Sequence, residues 1–401
     1  MKNLPKGWTY VKLGDVLTMA QYGLSMPSGD QGQYPMFRMN NFRDGKVIAE
    51  NLVYVDLTDK EAEKFLLEPN DILFNRTNSP ALVGKSGLFD LPGEYVFASY
   101  LVRLRVNEKL ADPRFINYFL NDDKTKQELK ALSTAGVSQS NINPTTLRQK
   151  LMLPLPSLHE QQRIAAILSA CDRVIDGTAL LLKKQEKRKS VLTNDLLLLN
   201  SSTIPKGWSN CRISTVAEVN PRKPKAELNE LVSFVGMTDV SEEMRLVNHY
   251  PRSYAEVANG FTGFQDNDIL VAKITPCFEN GKGALVTGLT NGKGFGSTEF
   301  HVVRAEDEII RRLLYHHFSS YRFRVRGEAN MTGSAGQKRI PASFISEYSI
   351  SMPPRSELKK IVDVLDALSQ QLELIRQQLT LLKKQKKGLM QRLLTGQSFT
   401  N

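Results

Sequence analysis

The sequence predicts an α+β chain in which two tandem mixed α/β domains are joined by two long antiparallel helices, paired as a coiled coil about a pseudo-twofold axis. Three observations predict it. The sequence repeats itself at an offset near 200 residues. Each copy opens with short β-branched and aromatic runs punctuated by Gly, Asn, Asp and Pro. Each copy closes on a long stretch with apolar residues every three or four positions. The boundaries read as a first domain over 1–156, a spacer helix over 157–200, a second domain over 201–352 and a second spacer helix over 353–401.

Seven landmarks recur in order. Pro5-Lys6-Gly7-Trp8 meets Pro205-Lys206-Gly207-Trp208 at offset 200, Met39 meets Met237 at 198, and Asp71-Ile72-Leu73 meets Asp268-Ile269-Leu270 at 197. Phe97-Ala98-Ser99 meets Phe295-Gly296-Ser297, and Thr134 with Gln139 meets Thr332 with Gln337, both at 198. Glu160, Ile164, Leu168 and Ala170 meet Glu357, Ile361, Leu365 and Ala367 at 197, and Leu181 to Gln185 returns as Leu381 to Gln385 at 200. One match could be chance; a collinear series is a duplication.

Within the domains, Ile48 to Val55, Tyr95 to Val106 and Ile269 to Ile274 read as strands, and Arg114 to Leu132 as helix. Pro156 stops the chain before the first long helix, where Ser157 and Glu160 have capping-box spacing; Pro353-Pro354 stands before the second. The second helix carries the ladder Leu358, Ile361, Leu365, Leu368, Leu372, Ile375, Leu379, Leu382, Lys386, Leu389, Leu393, polar at one rung only. That is a coiled-coil seam of about five heptads, roughly 50 Å long. The first helix has a less pure seam through Ile164, Leu168, Cys171, Ile175, Thr178, Leu182, Gln185, Lys189, Leu192, Leu196 and Leu199. Two equivalent halves can pair such helices by an isologous twofold, which makes them antiparallel and puts a domain at either end. Ile164, Leu168, Ile175, Leu182, Leu365, Leu372, Leu379 and Leu389 are the seam positions expected to pair the helices or dock a partner.

Charge narrows the partners. The net charge is +11, but it is spread as +2, +2, +2 and +5 over the four segments, so no basic tract coats a polyanion by charge alone. Recognition of nucleic acid would have to come from local loops. After the matched Asp-Ile-Leu strands the loops differ: Asn75, Arg76, Thr77 and Asn78 with Lys85 in one copy, and Lys273, Thr275, Phe278, Asn280 and Lys282 in the other. A second polar patch precedes each long helix, as Ser138, Gln139 and Asn141 and as Gln337, Lys338 and Arg339. Arg suits guanine, Asn suits adenine, and Lys or Thr suits phosphate. Unlike loops predict unlike half-sites, hence a bipartite, asymmetric and gapped target.

Other chemistry finds little support. Gly84-Lys85-Ser86 resembles the end of a phosphate-binding loop, but Ser79 occupies the place of its first glycine. Gly288 to Lys293 is one residue short of that pattern, and Asn143-Pro144-Thr145 does not supply an adenine methyltransferase motif. Pro276-Cys277 with Glu279 lacks a preceding cofactor-binding glycine strand. The three cysteines and five histidines show no metal-ligand spacing, so neither a disulfide nor structural zinc is expected. With no leader at Met1 and no apolar run of membrane length, a cytoplasmic chain is expected.

These stretches together resemble the specificity subunit of type I restriction-modification systems. The resemblance rests on the Pro-Lys-Gly-Trp starts, Asp71 to Lys85, Thr134 to Ile164, Asp268 to Lys282 and Leu381 to Gly396, and departs from the fuller pattern at Ser351-Met352-Pro353-Pro354. It implies two target recognition domains, each reading half of a split site in double-stranded DNA, and helices that space them and dock two modification subunits. It implies a chain with no catalytic site and no cofactor of its own: S-adenosylmethionine would sit on the adenine-methylating partners, and ATP and Mg would serve the restriction subunits. Two other readings stay open on the residues alone, a paired-domain scaffold that binds protein through its helices, and a single-chain methyltransferase or nuclease.

Overall fold

The computed structural model describes residues 4–79, 82–135, 139–197, 205–334 and 336–396. The chain divides into two compact units, one built from Met1–Thr178 with Gln378–Asn401 and the other from Ala179–Gln377.

In the first unit the strand Thr9–Lys12 pairs antiparallel with Met152–Leu155, which closes the domain just ahead of the first long helix. The main sheet has six strands in the order Leu17–Tyr22, Leu101–Val106, Ile72–Asn75, Ser86–Leu88, Lys46–Val47, Phe42–Arg43. A three-stranded sheet lies apart from it, with Val96–Phe97 parallel to Tyr34–Phe37 and Val53–Val55 antiparallel on the other side. Ile72, Phe74, Val102 and Leu104 project from the main sheet into one core with Phe115, Ile116 and Leu120 of the helix Pro113–Asn121. Residues two apart on a strand share a face, so these four are the buried side of the pleat.

The second unit repeats this plan. Ser209–Arg212 pairs with Ser349–Met352 before the second long helix. The central sheet runs Glu218–Val219, Phe300–Arg304, Ile269–Ala272, Gly283–Leu285, and a four-stranded sheet contains the parallel pair Leu231–Val235 and Lys293–Gly296. The helices Glu308–Phe318 and Tyr321–Ala329 cover the core.

Several elements end earlier than their sequence patterns suggest. Tyr95 to Val106 is two strands, Val96–Phe97 in the small sheet and Leu101–Val106 in the main one. Ile48 to Val55 keeps only Val53–Val55 as strand, and Asn51 there takes a left-handed φ of 51°. Arg114 to Leu132 is two helices, Pro113–Asn121 and Asp123–Ala131, because Asp122 adopts an extended ψ of 145° and caps the second by accepting from Lys124 N.

The long helices span Leu158–Leu197 and Arg355–Leu393. At the first, Ser157 Oγ accepts from Glu160 N at 3.3 Å, and the Glu160 carboxylate accepts from the indole Nε1 of Trp8, also at 3.3 Å. Trp208 Nε1 donates to Glu357 at 3.1 Å in the same way. In each unit the Pro-Lys-Gly-Trp start is thus pinned to the first turn of that unit's helix. Ile164 and Leu168 are fully buried in the core of the first unit, which also contains Leu393 and Leu394; Leu365 is fully buried in the core of the second, with Leu197. Ile175 and Leu372 are buried, while Leu182, Leu379 and Leu389 are half-buried. Leu199 lies outside the described residues.

Candidate nucleic-acid interface

Each candidate loop is held by the strand before it. Asp71, fully buried, accepts from Arg105 Nε at 2.8 Å and Nη2 at 2.9 Å, and from Glu68 N at 2.9 Å. Asp268 does the same with Arg304, at 2.8 and 2.7 Å, and with Gln265 N at 2.8 Å. The Asp-Ile-Leu motif therefore encodes a turn clamp and an ion pair to the neighbouring strand, while its two aliphatic residues are fully buried. Hydrogen bonding to the carboxylate holds both guanidinium groups above their ordinary pKa, opposed by burial.

At the far end of those strands the two units share one backbone frame. Asn75 N donates to Lys85 O at 2.8 Å, as Ala272 N does to Lys282 O at 3.0 Å. Ile142 N donates to Arg76 O at 2.8 Å, as Ile340 N does to Lys273 O at 3.0 Å. Gly84 and Gly281 turn the loops at φ of 83° and 79°, a region where a side chain is strained. At Gly281 a Cβ would also lie 2.4 Å from Arg324 Nη1.

This frame joins the two polar runs that are distant in sequence. In the first unit Thr77–Asn78 pairs with Ser140–Asn141, which pairs in turn with Thr134–Ala135. In the second, Ile274 and Thr332 both bridge to Arg339. Ser138 lies outside the described residues; Gln139 is exposed beside the first of these sheets.

The side chains on the frame differ. Arg76 stacks over the Tyr22 ring at 4.9 Å and makes no ion pair among the described residues. Thr77 Oγ1 reaches Asn141 at 3.5 Å, and Asn78 Oδ1 accepts from Ser79 N at 2.8 Å. In the second unit Arg339 is clamped by Glu299, with contacts of 2.8 to 3.1 Å. Arg339 in turn holds the Glu299 carboxyl below its usual range. Lys273 Nζ donates to Thr298 O at 2.8 Å and Lys282 Nζ to Met237 O at 3.1 Å. Burial pushes the Lys273 ammonium down, with Glu299 opposing. Thr275 Oγ1 donates to Lys338 O at 3.3 Å, and Asn280, Gln337 and Lys338 are exposed.

Two candidates need correction. Phe278 is 2% exposed and packs edge-on against Phe323 at 5.9 Å, with its ring against Gly327, so it anchors the loop from within the core instead of facing solvent. Asn75 is fully buried, and its Nδ2 donates to Met39 O at 3.3 Å, so it braces the loop. Tyr22 and Glu299 were not singled out from the sequence. Each lies more than 35 residues from the side chain it holds, and local pattern carries no sign of the pairing. Among the described residues there is no group of three or more His, Cys, Asp or Glu arranged to hold a metal ion. Nor, among them, is any helix long and apolar enough to cross a membrane.

Two α/β units with one loop frame and unlike loop side chains define a duplicated, loop-presenting protein. The chain belongs to the type I restriction modification DNA specificity family, whose domain model matches residues 5–186 and again 205–384. It is 32% identical over 294 residues to the type I restriction enzyme EcoAI specificity subunit of Escherichia coli, covering 72% of this chain and 41% of that subunit. It is 26% identical over 389 residues to the StySPI specificity subunit of Salmonella potsdam, covering 90% of this chain and 81% of that one. The chain thus spans less than half the length of the EcoAI subunit, and 28% of the EcoEI subunit of Escherichia coli. The crystal structure of a type I restriction-modification system S subunit from M. genitalium shares the fold, with a TM-score of 0.62 at 15% identity over 98% of this chain and 97% of that one.

Proposed function

We propose that the chain is the DNA sequence-recognition subunit of a type I restriction-modification complex. In this reading it is non-catalytic and acts in the cytoplasm. It binds a bipartite, asymmetric, gapped site in double-stranded DNA and brings two modification subunits and the restriction subunits to it. S-adenosylmethionine, ATP and Mg belong to those partners. One observation carries the reading: the same main-chain hydrogen bonds hold both loop pairs, while the side chains they present differ, with Arg76 stacked over Tyr22 and making no ion pair among the described residues in one unit, and Arg339 clamped to Glu299 in the other. A common frame with different contents suits two readers of different half-sites.

The two long helices act in this reading as an antiparallel, pseudo-twofold pair that sets the spacing of the half-sites. Within the second unit Glu186 pairs with Arg376 at 2.6 Å, while Leu197, further along the first helix, shares a core with Leu365, earlier on the second, which supports the antiparallel sense. The test is selection from a randomised duplex library by the chain with its modification partner. The reading expects two separated, unlike half-sites; a scaffold enriches no sequence. Methyl transfer or cleavage by the rigorously purified chain alone contradicts the non-catalytic assignment.

A further inference from the structure

A cleft of about 320 Å³ in the first unit is lined by six lysines from four places in the chain: Lys46, Lys85, Lys126, Lys383, Lys386 and Lys387. Three are neutralised where they stand. Lys46 pairs with Asp176, Lys386 with Asp172 at 2.5 Å, and Lys387 with Asp123 at 2.6 Å. Lys85, Lys126 and Lys383 make no ion pair among the described residues, and the one further carboxylate in the lining is Asp44. The lining therefore holds six cations against four anions. Lys85 and Lys126 are half-buried, so they lose part of their hydration without gaining a partner. Burial pushes the Lys126 ammonium down; Asp123 pulls it back, and Lys85 pushes it further down.

The second unit has a cleft beside its long-helix segments too, but that one is balanced: Lys189, Arg245, Arg324 and Arg376 face Glu186, Glu242, Glu243 and Glu373 there.

We propose that this cleft is a phosphate-binding site in which Lys85, Lys126 and Lys383 receive the phosphodiester backbone of the DNA engaged by the neighbouring loop. The proposal rests on the DNA-recognition reading. The source of the phosphate follows from position. Lys85 O accepts from Asn75 N at the root of the Arg76 loop, and Lys85 lines the cleft together with Lys126, so the cleft adjoins the loop proposed to engage the DNA. Such a site adds affinity and register without reading bases.

The test measures binding of the full chain, with its modification partner, to a specific and a scrambled duplex over a series of salt concentrations. Each lost phosphate contact lowers the slope of log K against log salt by about 0.9, which is roughly a threefold smaller loss of affinity between 50 and 200 mM. Lys126→Gln and Lys383→Gln are each expected to do this equally on both duplexes. Lys126→Arg is expected to keep the slope, as is Lys60→Gln, a surface control. Unchanged slopes in both glutamine variants, with normal duplex binding, overturn the site and leave the recognition reading intact. No duplex binding by the unaltered chain at low salt overturns both. Thermal stabilisation by inorganic pyrophosphate that Lys126→Gln abolishes, with DNA slopes unchanged, overturns the DNA source in favour of a free phosphate ligand.

Discussion

Replacing Asp71 by Ala tests the claim that the Asp-Ile-Leu motif is a clamp under the first loop. Asp71 is 1% exposed and serves two arginines: Arg105 through two contacts of 2.8 and 2.9 Å, and Arg103 at 3.7 Å. Arg103 is itself 4% exposed, and its other hydrogen bonds go to Leu66 O, Lys64 O and Gln21. Removing the carboxylate leaves Arg103 buried with no ion pair among the described residues and only the more distant Glu68 to offset its charge, and leaves Arg105 with Glu68. Breaking a buried pair from one side costs about 3 to 5 kcal/mol, a large share of the ~5 to 15 kcal/mol that stabilises a domain. The chain supplies its own reporters, since Trp8 lies in the first unit and Trp208 in the second. In a Trp208→Phe background, urea unfolding followed by fluorescence reads the first unit, and the midpoint is expected to fall with an unchanged slope. Asp268→Ala, read by Trp208 in a Trp8→Phe background, is expected to cost less, because among the described residues that carboxylate makes its ion pair with a single arginine, Arg304. A loss below about 1 kcal/mol for Asp71→Ala, the scale of an exposed pair, refutes the clamp.

Other outcomes follow from the same structure. Arg76→Ala is expected to relax one half-site by about 1 to 3 kcal/mol in a duplex-library binding assay, and an equal loss on all sequences would instead mark a phosphate contact. A charge placed at Leu372, which is 5% exposed, is expected to destabilise the second unit by several kcal/mol, and the same change at half-buried Leu379 to destabilise the first unit, to which it belongs, by less. Equal effects in urea unfolding contradict the assigned seam. The second unit should also lose stability in acid. His317 is fully enclosed and burial pushes it down to about 3, against about 6.5 in the unfolded chain. The unfolded state therefore binds the extra proton first, and stability present above about pH 6.5 falls as the pH drops toward 3, by up to about 1.4 kcal/mol per pH unit. His317→Phe is expected to flatten that dependence in the Trp208-reported transition; an unaltered slope contradicts it.

Much of the architecture was legible because it is written twice. The recurrence of Asp-Ile-Leu marked the strands that lead into both loops, and the proline breaks marked where both helices start. What the sequence hid was non-local. The parallel pairs Val96–Phe97 with Tyr34–Phe37 and Leu231–Val235 with Lys293–Gly296 join segments about 60 residues apart, and their short runs carry no clear alternation. Trp8 and Glu160 both recur in the repeat, yet their contact spans 152 residues and emerges only when the domain closes on its helix. Phe278 misled because it sits among polar neighbours, and its packing against Phe323 and the helical Gly327 shows that the core reaches into that loop. Arg114 to Leu132 looked continuous because no Gly or Pro interrupts it; the competing capping preference of Asp122 won.

The most direct test is methylome sequencing of cells that carry this chain with its modification partner. Two dissimilar short motifs, methylated on adenine and separated by a constant number of unspecified bases, are the predicted result. Arg76→Ala should degrade one motif and leave the other unchanged. A single uninterrupted motif, or two identical half-sites, would contradict a chain that carries two different readers on one duplicated frame.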